Sequence, residues 1–142
     1  MSKLILHSPI ERFTRMMFSR VIERLALVIS EENLSFSQVA ALHIIDQEQS
    51  ITIQDISQRL NLSLSATSRL IDDLVKTDFI DRLEDQENRR SKILTLTSHG
   101  QSFIDKLSVE RVKMIHSTTE SLPQKLSTKV LSALSLTQRK KP

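Results

Sequence analysis

The chain has 142 residues, 39% hydrophobic and 26% charged, with a formal net charge of +3 and a pI near 9.4, a balance that fits one globular domain and excludes wholesale disorder. It has no cysteine and one glycine, Gly100, which excludes thiol nucleophiles, thiolate zinc sites, disulfides and the glycine-rich loops that cradle phosphates. No apolar run approaches a membrane span, and Leu4-Ile5-Leu6 is too short for a signal-peptide core, so a mostly helical, cytoplasmic chain without cofactor or membrane contact is expected.

Ile10, Phe13, Met17, Val21 and Leu25 recur at steps of three or four and predict a long helix from Ile10 to about Ser30. Ile22, Ala26 and Ile29 widen its stripe enough to cover two surfaces, one within the chain and one on a partner. Asn33-Leu34-Ser35 breaks the pattern, and Ser35 or Ser37 caps a second helix carrying Val39, Leu42 and Ile45. Ser50-Ile51-Thr52 reads as a single strand rung. Ile53, Ile56 and Leu60 then mark a short helix ending near Asn61, a residue type that accepts the left-handed conformation of a helix end. Ser63 or Ser65 caps the next helix, with Leu70, Ile71, Leu74 and Val75 as its buried side. Phe79 to Leu83 and Lys92 to Leu96 read as paired strands. Thr97 ends the second strand and caps a helix carrying Phe103, Ile104, Leu107, Met114 and Ile115. Pro123 opens a last helix with Leu126, Val130 and Leu134, before the charged end Arg139-Lys140-Lys141.

Two short helices, a tight turn, a helix with a polar start and an immediate hairpin predict a winged helix-turn-helix. In that layout Ser63, Ser65, Ala66, Thr67, Ser68 and Arg69 are the DNA-contact candidates of the recognition helix. Small hydroxyl residues allow close approach and can bond phosphates or base edges, while arginine can grip guanine with two bonds. Which residue meets a base and which a phosphate stays open. The competing reading has Ser63 and Ser65 only capping the helix, with Arg69 paired to Asp72 or Asp73. Arg89 and Arg90 sit at the hairpin tip, where arginine is the favoured probe of a narrow minor groove. Arg90 is the better placed of the two, and Lys92 is a phosphate-type candidate. Residues 62–100 hold six Lys/Arg against seven Asp/Glu, so placement of charge, not its amount, carries the DNA reading.

In order and residues the chain resembles the MarR family of bacterial transcription regulators. Wings of that family read Asp, two variable residues, Asp, Arg, Arg, a strand ending Leu-Thr, and a glycine three residues later. Asp85, Arg89, Arg90, Leu96, Thr97 and Gly100 match, and Ser68-Arg69 stands where Thr-Arg is usual. Asn88 departs from the pattern by replacing the second aspartate, and Glu87 adds a negative charge near the tip. Asp78 and Asn61 occupy helix ends where glycine is common.

The resemblance implies one α+β domain over 1–142, with dimerisation helices at 1–32 and 98–142 around a winged helix-turn-helix core at 35–97. It implies a homodimer on a palindromic double-stranded operator, and a repressor relieved by a small-molecule effector. The alternative is a helical interaction module of the same fold that has lost DNA binding. An enzyme is the rival class, but no serine lies in a strand-turn-helix elbow and Glu31-Glu32 reads as a solvated helix end. His7, His43, His99 and His116 lack ligand spacing, so no metal is expected. Phe13, Met16 and Met17 read as core or dimer packing, or as the lining of an effector pocket.

Overall fold

The computed structural model describes residues 9–48, 50–84, 92–125, 127–129 and 132. In chain order these form helices α1 (Pro9–Glu31), α2 (Phe36–Gln47), α3 (Ile53–Leu60) and α4 (Leu64–Lys76), strands β1 (Ile80–Glu84) and β2 (Lys92–Leu96), and helix α5 (Ser98–Glu120). Residues 124–125 and 127–129 are helical again behind Pro123, whose carbonyl accepts from the Ser127 N–H at 3.1 Å. The architecture is the expected winged helix-turn-helix, mainly helical with one antiparallel two-stranded hairpin. No helix among the described residues is long and apolar enough to cross a membrane. Leu126, Val130, Leu134 and Arg139-Lys140-Lys141 lie outside the described residues.

Capping chemistry decides where the helices start. Ser35 opens α2 through a reciprocal box: the Gln38 N–H donates to Ser35 Oγ and the Ser35 N–H donates to Gln38 Oε1. Thr52 and Asp55 repeat the device on α3, where the Thr52 hydroxyl and N–H donate to Asp55 Oδ2 at 2.7 and 2.9 Å. Those two bonds, the hydroxyl's first, hold the Asp55 carboxyl below its usual range. Because Thr52 already begins α3, the expected strand rung at 50–52 shrinks to one backbone bond, from the Leu94 N–H to the Ile51 carbonyl at 2.9 Å.

The helices end without glycine. Asn33, Asn61 and Asp78 take positive φ values of 53, 52 and 61°. After each, the next N–H reaches back to close the last turn: Leu34 to the Ile29 carbonyl, Leu62 to that of Ser57, and Phe79 to that of Leu74, at 3.2, 3.0 and 2.9 Å. This is the Schellman closure, and short polar side chains are the non-glycine residues that tolerate it best.

Two compact units divide the chain inside its long helices: Ala26–Ser108, and Met1–Leu25 with Val109–Pro142. In Ala26–Ser108, Leu42, Ile45, Ile51, Ile56, Ile71, Leu74, Ile80 and Leu94 form the core together with Val28, Phe103, Ile104 and Leu107. The last turn of α1 and the first half of α5 thus bury side chains in the winged-helix unit, which extends beyond the 35–97 range read from the sequence. On α4 the buried stripe is narrower than expected and centres on Thr67, Ile71 and Leu74; Leu70 is half-buried, and Val75 is exposed. Glu31 and Glu32 are not merely solvated, since Lys106 Nζ lies 2.9 Å from Glu31 Oε2 and 3.7 Å from Glu32 Oε1.

In the other unit, Arg24 Nε donates to Glu110 Oε2 at 2.7 Å and Lys113 Nζ to Glu110 Oε1 at 3.0 Å. The Arg24 bond foremost, then that of Lys113, holds the Glu110 carboxyl below the 4.5 of a free glutamate. A depressed folded-state pKa means that this stabilisation is complete above about pH 4.5 and is lost as pH falls through the lower folded value. Acid unfolding followed by circular dichroism should therefore begin to cost stability below that pH, and Glu110→Gln should make the decline shallower. Identical acid slopes for the two proteins would show that the cluster contributes nothing.

Candidate nucleic-acid interface

The first turn of α4 is built by Ser63, which caps it: the Ala66 N–H donates to Ser63 Oγ at 3.2 Å. Ser65 Oγ lies 3.2 Å from the same hydroxyl and is exposed, with Ser68 and Ala66 half-exposed beside it. Thr67 must be removed from the contact candidates. It is completely buried, and its hydroxyl donates to the Ser63 carbonyl at 3.0 Å, so it is a packing residue of the stripe that seats the helix. The four-residue steps from Thr67 to Ile71 and from Ser65 to Arg69 place these two pairs on different sides of the helix.

Arg69 is exposed and does not pair with its own helix's acids. Asp72 is held by Arg82 Nη2 of β1, and Asp73 lies 3.9 Å from Lys76 Nζ. Among the described residues the Arg69 guanidinium makes one long hydrogen bond, from Nε to the Ser65 carbonyl at 3.4 Å. The residues that would neutralise it are thus occupied elsewhere, and the charge is presented in the second turn of the helix.

The hairpin is fixed to this helix by the Arg82–Asp72 pair, which the sequence reading missed. Arg82 lies two residues after the buried Ile80 in β1 and therefore points to the same, inner face of the sheet. Its side chain is 28% exposed, and its Nε is buried without an acceptor among the described residues. A charged residue at an inward strand position was the available signal. At the base of the hairpin, the Thr97 N–H donates to the Phe79 carbonyl at 3.1 Å and the Gly100 N–H to Thr97 Oγ1 at 3.0 Å, the cap expected for α5. The rings of Phe79 and His99 lie 4.3 Å apart.

Arg89 and Arg90, with Asp85, Glu87 and Asn88, lie outside the described residues. Lys92 is exposed at the first position of β2, with Glu84 as its register partner. That ladder position sets an opposite charge beside it. Phe13, Met16 and Met17 lie in the other unit, and grooves open within Ala26–Ser108. One of about 440 Å3 is lined by Ala26, Ile29, Ser30, Asn33, Leu34 and Phe36.

Residues 34–92 match the MarR family. The HTH-type transcriptional regulator PapX of Escherichia coli is 32% identical over 77 residues, which are 54% of this chain and 47% of PapX. The chain thus spans about half the length, or less, of the first curated relatives it matches. Among solved structures, the transcriptional regulator Tm0710 of Thermotoga maritima shares 25% identity with a TM-score of 0.78, covering 92% of both chains. MepR of S. aureus, in a complex with DNA, shares the fold at a TM-score of 0.73 and 18% identity, over 87% of this chain and 93% of MepR. The helix-turn-helix and the first strand of the hairpin thus match the MarR family in sequence, and the fold is shared along nearly the whole chain with a solved transcriptional regulator.

Proposed function

We propose that the chain binds double-stranded DNA as a homodimer and regulates transcription, acting in the cytoplasm as a repressor that a small-molecule effector relieves. The observation that carries this reading is the N-terminal half of α4, where exposed Ser65 and, one turn on, exposed Arg69 stand clear of the helix's own acids. The match of residues 34–92 to the MarR family supports it, as does MepR, a protein of the same fold found in a complex with DNA. The surface of the Met1–Leu25 and Val109–Pro142 unit supports the dimer: Phe18, Ile22, Val109 and Val112 are 59, 60, 52 and 63% exposed, and side chains of that kind are usually covered by a second subunit. On this reading Ser63, Ser65, Ala66, Ser68 and Arg69 face the major groove, Arg89 and Arg90 the minor groove, and Lys92 a phosphate. The largely apolar lining of the α1–α2 groove, and its size, suit a small effector.

Selection from randomised duplexes, followed by anisotropy titration across salt, tests the reading. Affinity should fall steeply with salt as phosphates are neutralised. Arg69→Ala should weaken binding at least about tenfold. If Arg69 meets a phosphate, its loss also flattens the salt slope by about one per subunit; if it meets a base, sequence preference relaxes instead. Unchanged affinity and slope would remove Arg69 from the interface. Failure of any duplex to bind would leave the interaction-module reading in its place. Sedimentation as a compact monomer at micromolar concentration would contradict the dimer.

A further inference from the structure

We infer that Leu64 reads the 5-methyl group of a thymine in the major groove, a specificity contact that rests on the DNA-binding reading above. Leu64 is the first residue of α4 and is 58% exposed. The helix does not need it: the cap is Ser63, and the stripe that seats the helix is Thr67, Ile71 and Leu74. It does not extend an apolar band along α4 either. The other large exposed apolar side chain of that helix is Val75, eleven residues on and therefore about 16 Å along the axis. Leu64 is instead one branched hydrocarbon group set among Ser63, Ser65 and, four residues on, Ser68.

That setting selects the partner. The first turn of a recognition helix is the part that comes nearest the base edges. In the major groove guanine, adenine and cytosine present hydrogen-bonding groups, which a leucine would dehydrate without replacing their bonds. Thymine alone of the four bases adds a methyl group, which leucine can cover at a gain. The serines around it can meet phosphates or polar edges, so the first turn combines apolar and polar readout on adjacent residues.

Replacing thymine by deoxyuridine removes that methyl group and nothing else. In the best duplex recovered by selection, each thymine is replaced in turn and titrated with the intact chain and with Leu64→Ala. The native protein should lose about fourfold in affinity at one thymine of each half-site, the worth of one buried methyl group. Leu64→Ala should bind the thymine duplex about as weakly as the native protein binds the deoxyuridine one, and should not distinguish the two. Leu64→Met, which stays apolar, should keep the preference and guards against a folding defect in the alanine variant. Equal native affinity for both duplexes at every position overturns the inference while DNA binding stands. So does a deoxyuridine penalty that persists in Leu64→Ala. If selection recovers no duplex, the DNA reading fails and the inference with it.

Discussion

Gly100→Ala should lower the unfolding free energy by about 3 kcal/mol, the upper end of what overpacking a rigid site costs. A Cβ at this position would sit 2.1 Å from the Phe79 carbonyl oxygen and 3.3 Å from Leu96 Cδ2. The first neighbour is backbone and cannot swing aside, and its carbonyl is already engaged by the Thr97 N–H. Relief would require parting the start of α5 from the base of the hairpin, where Phe79 is buried and packs edge-on against Phe103 with centroids 5.6 Å apart. For a chain of this size the melting temperature should fall by roughly 10 °C. A loss under about 2 °C would show that the α5 start yields without strain.

The second large effect is expected at Asp72. Removing its carboxylate by Asp72→Ala leaves the Arg82 guanidinium, 28% exposed and with Nε already lacking an acceptor among the described residues, without its anion. Breaking a fully buried pair costs about 3–5 kcal/mol, and partial exposure brings the expected loss to about 2 kcal/mol. Asp72→Ala with Arg82→Leu should recover most of that stability, because no stranded charge remains. DNA affinity separates packing from positioning. If the pair aims the hairpin relative to α4, the double variant stays weak on DNA although it is stable. Full recovery of affinity along with stability would reduce the pair to packing.

The fold was legible because its signals are local. The apolar steps of α1 and α2 and the polar interval between two apolar β runs each name an element without reference to the rest of the chain. The recognition helix was legible in position but not in orientation. Thr67 shares its chemistry with Ser65 and Ser68, and only the placement of α4 against the core decides which hydroxyl is buried. Leu64 escaped for a related reason: apolar residues are read as core, and exposure is a tertiary property. The Asp72–Arg82 pair joins residues ten apart across a helix end and a turn, a distance at which sequence spacing predicts no contact. The family match added what composition could not, since residues 62–100 are not basic overall.

Helix closure on Asn33, Asn61 and Asp78 also bears on how this chain adapts to temperature. Each holds a left-handed conformation that glycine adopts without steric cost. After the entropy that glycine loses on folding, each exchange should gain roughly 0.5 kcal/mol, and the three together about 5 °C in melting temperature. The protein therefore carries thermal headroom at three turns, reachable by single substitutions, and its working temperature can drift without redesign of the core.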